Sequence, residues 1–154
     1  MVQHDAIDWV VEDRLVYRQG EFSWLEYLLT DNDCSVWLVV NEDDTLVVTV
    51  EREIDLPLSL DAPPPSELEV DGRLYRLNER GVAGVTSESR RVNRLLGSCQ
   101  FFDYCSGSSA VLSIELWGNN AAGTGELEAT VGERIAPLSL SLLPGDGRSV
   151  YRSS

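Results

Sequence analysis

The sequence contains no lysine and a single histidine, and both shortages narrow the chemistry open to it. The one histidine, His4, stands near an N-terminus that we expect to be mobile. It cannot supply a multi-histidine metal site or a histidine-based acid–base pair. The chain also lacks a phosphate-binding glycine loop and a nucleophile elbow. We therefore predict no metal, no cofactor and no enzymatic activity.

Cysteine is scarce as well. Cys34, Cys99 and Cys105 are an odd number without CxxC spacing, which favours a reducing, cytoplasmic location over an exported, disulfide-linked protein. Two arrangements are open for Cys99 and Cys105. They either face each other across a hairpin or are free thiols, the more common state of buried cysteine.

No run of about 18 apolar residues occurs, and the first residues are acidic rather than basic, so we predict a soluble protein without membrane insertion. The formal net charge of −14 opposes binding to nucleic acid, which begins with attraction to phosphate. Residues 1–56 carry fourteen acids against three arginines, and residues 57–154 carry twelve acids against nine. We expect a protein partner with a neutral or basic surface, or a second copy of the chain.

The densest aromatic and β-branched content lies in residues 22–50, which read as three strands, 22–30, 36–40 and 46–50, separated by turns rich in Asn and Asp. Phe22, Leu25 and Leu29 also fit helical spacing, but the aromatic content and the hairpin-like neighbours favour a strand. Further strands are predicted at 7–18, 67–70, 73–77, 81–86, 99–105, 110–117 and 126–135. Three prolines in the segment 61–66 predict a connector, and residues 144–154 a frayed tail.

The two parts of the chain resemble each other. Residues 24–27 read W-L-E-Y and residues 101–104 read F-F-D-Y, while P-L-S-L occurs at both 57–60 and 137–140. Chance is the rival explanation for matches this short. We interpret them as a single all-β domain, mainly antiparallel, whose pseudo-repeated meander halves, about 7–60 and 67–143, pack as a barrel or a sandwich.

Several residues are candidates for a binding site, each with a plainer structural alternative. The aromatic side chains would line a ligand pocket or would simply fill the core. Two acids at equivalent places in the repeat would form a pair capable of acid–base work if burial raised one pKa, or would lie on the exposed face of the strand or bond a neighbouring backbone group. A basic patch would dock an acidic partner or be a solvated loop. The aromatic candidates are Trp24, Trp37, Phe101 and Phe102. The two acids are Glu26 and Asp103, with their neighbours Tyr27 and Tyr104. The basic patch is Arg90, Arg91 and Arg94.

An ordered set of motifs supports a family resemblance: W-L-E-Y-L-L at 24–29, W-L at 37–38, D-G-R-L-Y-R-L at 71–77, L-S-I-E-L-W at 112–117 and G-E-R-I-A-P at 132–137. Over about residues 9–143 the chain resembles the bacterial domain-of-unknown-function family 4178. The resemblance implies no catalytic residues. It implies a cytoplasmic accessory or adaptor domain linked to membrane-stress systems of the phage-shock-protein-A type.

Two functional hypotheses follow. The first is a non-enzymatic adaptor, favoured by the acidic first half, the arginine cluster and the lack of catalytic groups. The second is a β-barrel that binds a small molecule or a lipid, favoured by the aromatic residues. An interior filled by side chains would rule out the second.

Overall fold

The computed structural model describes residues 1–4, 7–32, 34–42, 46–58, 62–89, 97–118 and 125–142. In these residues the chain forms eleven β-strands, one turn of 3-10 helix and no α-helix, which confirms the all-β prediction. Consequently, no helix in this part of the chain is long enough to cross a bilayer. The strands are β1 (Val2–His4), β2 (Ile7–Gln19), β3 (Phe22–Asp31), β4 (Cys34–Glu42), β5 (Leu46–Ile54), β6 (Glu67–Val70), β7 (Arg73–Ser87), β8 (Gly97–Ser106), β9 (Ala110–Trp117), β10 (Glu126–Ile135) and β11 (Ser141–Leu142), and the helical turn is Pro137–Ser139.

Eight strands close into an antiparallel barrel. Their order around the barrel is β2-β3-β4-β5-β10-β9-β8-β7, and the pairing of β2 with β7 completes the ring. Of the two packings expected from the sequence, the chain thus adopts the barrel. Closure removes the unpaired edges that an open sheet of this size would expose.

The barrel consists of two four-strand meanders, β2–β5 and β7–β10, joined to each other by β5–β10 and β2–β7. The strands β3 and β8 hold equivalent places, and the motifs at 24–27 and 101–104 lie on them. In each motif the first and third residues face the barrel interior, while the second and fourth belong to outer clusters. The ancestral duplication itself stays a hypothesis.

Part of the outer face of each meander is covered by apolar side chains. The outer face of the first meander packs with Val2, Trp9 and Leu140. The outer face of the second packs with residues of β6 and of the segment after β5, including Leu56 and Leu68. Val2 is fully buried in β1, which pairs with β2 and β11, so our expectation of a mobile N-terminus was wrong.

The β6–β7 hairpin turns at Asp71-Gly72, between the two strands predicted at 67–70 and 73–77. Both residues have positive φ, 50° and 78°, as a two-residue hairpin turn requires. Beyond it, the strands predicted at 73–77 and 81–86 are one long strand, β7, because a bulge between Leu77 and Glu79 absorbs the break in the pattern.

A buried carboxylate, Asp13, sits at the β2–β7 seam. A bulge between Val11 and Asp13 precedes the point where β2 meets β7. Asp13 accepts hydrogen bonds from the Ser87 hydroxyl (2.6 Å) and from the backbone N–H groups of Arg14 and Ser89 (both 2.8 Å). The bonds from Ser87 and Ser89 connect residues 74 and 76 positions apart, and the three bonds satisfy a group that is 1% exposed.

One end of the barrel interior is filled with apolar side chains, here called the apolar floor: Leu15, Leu28, Ala83, Val85 and Trp117. Tyr17 packs beside it, with its ring centroid 6.2 Å from that of Trp117. The apolar floor leaves the opposite end, near the β2–β3 and β8–β9 turns, as the place where the interior is open.

Candidate functional site

The open end of the barrel contains a cavity of about 970 Å³. All eight strands contribute inward-facing residues to its wall, as alternation along each strand requires. One from each strand, in the order β2, β3, β4, β5, β7, β8, β9 and β10, is Gln19, Trp24, Val39, Thr49, Glu79, Asp103, Ser113 and Thr130. The volume lies in the range of small-molecule pockets.

Aromatic rings form the inner end of the cavity. Trp24 stacks on Tyr17 with ring centroids 5.1 Å apart and an interplanar angle of 18°. Phe101 meets Trp24 edge to face at 5.2 Å and 80°. Trp37 lies in the same cluster and is 3% exposed. These contacts hold large, flat side chains in fixed orientations next to the empty space.

Four of the carboxylates that line the rest of the wall come from different strands: Glu26 on β3, Glu51 on β5, Asp103 on β8 and Glu115 on β9. The three glutamates are each at most 8% exposed. Both carboxylate oxygens of Glu51 accept hydrogen bonds, from Thr49 (2.8 Å) and from Thr130 (2.7 Å). The Trp24 indole N–H donates to Glu26 at 3.2 Å. The protein therefore fixes these acids in place.

The surroundings of Asp103 shift its titration. Its pKa is raised from 3.8 to about 7, chiefly by burial and in addition by the charges of Glu51, Glu115 and Glu79, against the lowering effect of a 3.0 Å hydrogen bond from the Ser113 hydroxyl. Among the described residues that line the cavity, Arg134 is the only basic one, and it is exposed. The interior is thus strongly acidic.

The structure places five of the eight predicted interaction or pocket residues in the cavity wall with their side chains inward: Trp24, Glu26, Trp37, Phe101 and Asp103. The carboxylates that act most on Asp103 are Glu51, Glu115 and Glu79, so the proposed pairing of Asp103 with Glu26 does not describe its main neighbours.

The other three predicted residues pack in the outer clusters, and of these Tyr104 also borders the cavity. Tyr27 packs in the outer cluster of the first meander, and Phe102 and Tyr104 pack in that of the second. Their odd spacing from the inward residues decides this, because successive side chains in a strand alternate between faces. Tyr104 donates a 2.7 Å hydrogen bond to the Pro65 carbonyl, which ties the connector to the barrel, and burial raises its pKa. Arg90, Arg91 and Arg94 lie outside the described residues.

Two acids of the site, Glu51 and Glu115, were missed by sequence reasoning. Each stands in a largely apolar strand, where a charged residue ordinarily faces solvent. A signal was present for Glu115, since Ser113 and Glu115 are the polar positions of an otherwise apolar L-S-I-E-L-W run and share one face. The other face of β9, with Leu112 and Ile114, packs in the outer cluster of the second meander, so the polar face is the interior.

The cysteines also differ from one expectation. Cys99 and Cys105 lie on the same strand, β8, and both are free thiols, so pairing across a hairpin was wrong. The Cys99 sulfur lies 3.9 Å from a carboxylate oxygen of Glu115. Within the described ranges, no three His, Cys, Asp or Glu side chains are grouped to hold a metal ion.

Comparison with known protein families gives a match over residues 1–137 to a family described as a domain of unknown function, DUF4178. The chain belongs to the DUF4178 family. This match confirms the resemblance seen in the sequence motifs. The family's description assigns no activity, so the DUF4178 cavity must be interpreted from its own chemistry.

Two curated relatives of this DUF4178 chain are the uncharacterized protein Mb2628 of Mycobacterium bovis and the uncharacterized protein Rv2597 of Mycobacterium tuberculosis. Each is 35% identical over 125 residues, which covers 76% of this chain and 58% of the relative. The chain therefore spans less than two thirds of the length of these relatives. No solved structure matches it.

Proposed function

We propose that this DUF4178 domain binds a small molecule inside its barrel. The observation that carries the proposal is the cavity of about 970 Å³, which is enclosed by eight strands and closed at its inner end by the apolar floor. Barrels of eight strands are wide enough either to be filled by side chains or to hold one small ligand. Side chains do not fill this one.

The polar groups of the wall favour a ligand-binding site over a packing defect. Glu51 is held by Thr49 and Thr130, Asp103 by Ser113 and Glu26 by Trp24, so their positions are set before a ligand arrives. Preorganised groups reduce the entropy lost on binding. Buried carboxylates would oppose a lipid tail in the same space, so a polar molecule fits the wall better than a lipid.

Other expectations from the sequence stay predictions beside this proposal. They are the accessory or adaptor role in membrane-stress systems, the protein partner, the cytoplasmic location and the absence of enzymatic activity. A ligand-binding domain is compatible with an adaptor that responds to its ligand.

Binding in the cavity is testable with intrinsic fluorescence, because Trp24 and Trp37 border the space. A library of polar metabolites is titrated against the protein, and native mass spectrometry identifies any molecule retained through purification. We expect a saturable fluorescence change with at least one compound, and its loss in Val39→Trp, which places an indole in the cavity.

The matched control is Val82→Trp, because Val82 is 55% exposed on β7 and does not line the cavity. That variant should bind as the unmodified protein does. Equal binding by Val39→Trp would place the site elsewhere, and a library without any binder or retained molecule would contradict the proposal.

A further inference from the structure

The charge of the cavity wall is unbalanced in a way that the fold does not require. Among the described residues that line the cavity, seven are acidic and one, Arg134, is basic. The barrel would enclose uncharged side chains at lower cost, since each carboxylate removed from water loses solvation energy. An enclosed wall of one sign favours molecules of the opposite sign.

Asp103 shows that this charge is left partly uncompensated by the protein. The Ser113 hydroxyl bonds to Oδ1, and it is the only hydrogen-bond donor to Asp103 among the described residues, so Oδ2 has none there. No arginine in the described ranges forms an ion pair with Asp103. Its surroundings are instead the acids Glu51, Glu115 and Glu79, which raise its pKa. A bound cation would supply the missing charge.

The aromatic end of the cavity is an independent observation that favours the same kind of ligand. Ammonium groups are attracted to the faces of tryptophan and phenylalanine rings, and their attached carbon atoms lose contact with water there. The indole N–H of Trp24 is occupied by Glu26 at 3.2 Å and that of Trp37 by Glu53 at 3.3 Å. These hydrogen bonds fix the orientation of the two rings. A carboxylate that accepts the indole N–H also makes the ring more negative, which strengthens its attraction for a cation.

We infer that the cavity binds a small organic cation with at least one ammonium group, whose charge lies among Asp103, Glu51 and Glu115 and whose carbon skeleton lies against Trp24 and Phe101. This inference rests on the proposed function and names the ligand class for the same cavity. An anion of the same size is repelled by the wall, and a neutral molecule leaves Asp103 without a counter-charge.

The test uses probes of one length and different charge: 1,6-diaminohexane, neutral 1,6-hexanediol and anionic hexanedioate. Tetraethylammonium is added as a cation that cannot lose a proton. Isothermal titration at pH 8 and low salt gives the affinities, and Trp fluorescence provides a second signal. We expect both cations to bind at least tenfold more tightly than the diol, and the dianion not to bind.

Two variants separate a built site from general attraction to an acidic protein. Asp103→Asn and Glu69→Gln each remove one negative charge, but Glu69 is exposed on β6, outside the cavity. We expect Asp103→Asn to weaken cation binding at least tenfold and Glu69→Gln to leave it within twofold. Circular dichroism establishes that both variants are folded, and Glu51→Gln gives a second removal of charge inside the cavity.

The outcomes distinguish the inference from the proposed function. Binding of the diol or the dianion as tightly as the diamine, blocked by Val39→Trp, overturns the cation inference and retains a binding cavity. Failure of both cations to bind also overturns the inference, while a neutral ligand from the library would still support the proposed function. Cation binding that survives Val39→Trp reflects attraction to the protein surface and overturns the cation inference. An equal loss of binding in Asp103→Asn and Glu69→Gln has the same meaning.

Discussion

Glu79 and Asp103 lie directly opposite each other in the register of β7 and β8, immediately beyond the bulge in β7. Like charges at paired positions destabilise a sheet, and here the pair adds to the effect of burial on Asp103. The position of Glu79 opposite Asp103 therefore favours the protonated form of Asp103. This has consequences for both stability and binding.

Stability should depend on the ionisation of Asp103. Its pKa is about 7 in the folded chain and 3.8 as a model value, so the folded state binds this proton more tightly than the unfolded state does. The resulting penalty is absent below about pH 4, grows as the pH rises and is complete above about pH 7. We expect Asp103→Asn to raise the free energy of unfolding by roughly 2 kcal/mol more at pH 8 than at pH 5, in urea denaturation.

Glu69→Gln serves as the control for that measurement, because it removes an exposed charge of the same sign. Its effect on the free energy of unfolding should be small and similar at both pH values. An Asp103→Asn variant that is destabilised by the same amount at pH 5 and pH 8 would contradict the prediction.

Cation binding should be linked to the same proton. A cation favours ionised Asp103, so below pH 7 it must displace the proton, and its affinity should fall by up to about tenfold for each pH unit. Above pH 7 the affinity should level off, since Asp103 is already ionised. Tetraethylammonium is the suitable probe because it does not titrate. Titration calorimetry of Asp103→Asn should show a weaker and flatter profile, whereas an unchanged slope would assign the proton to another facing acid, such as Glu51 or Glu115.

The β2–β7 seam should depend on Asp13. Asp13→Ala leaves the Ser87 hydroxyl and the N–H groups of Arg14 and Ser89 without this acceptor in a buried place, and we expect a loss of about 3 kcal/mol in the free energy of unfolding. Asp13→Asn should lose less, because one acceptor oxygen remains. Asp8→Ala on the same strand removes an exposed carboxylate and should cost under about 0.5 kcal/mol. Equal losses in Asp13→Ala and Asp8→Ala would show that the seam does not rely on Asp13.

The strands themselves could be predicted from the sequence, because Asn- and Asp-rich turns and the Asp71-Gly72 hairpin mark their limits by local rules. The sequence could not, however, predict which face of β3 points into the barrel. Trp24 and Leu25 are both apolar, and only the packing of Val2 and Leu140 on the outside assigns Leu25 to the outer face.

For a related reason, only two of the four acids Glu26, Glu51, Asp103 and Glu115 could be selected from the sequence. Glu26 and Asp103 were selected because the repeat aligns them, and both do line the cavity. Glu51 and Glu115 lie outside the aligned motifs at 24–27 and 101–104, and a charged residue in a strand is ordinarily assigned to solvent. Their burial follows from closure of the barrel, a long-range property that depends on pairings such as Arg18 with Gly84.

Close packing of β5 and β10 should make Gly132 intolerant of a side chain. A Cβ atom there would overlap the Val50 carbonyl oxygen and would lie 2.7 Å from the Glu51 Cα, so the strands that position Glu51 would have to separate. We expect Gly132→Ala to lose about 3 kcal/mol or more, or to fail to fold, as judged by thermal denaturation and soluble yield. Gly84→Ala is the matched control, because its nearest atom would be 3.8 Å away, and it should stay within about 0.5 kcal/mol. A Gly132→Ala variant as stable as Gly84→Ala would refute this close approach of β5 and β10, and with it the placement of Glu51 in the cavity wall.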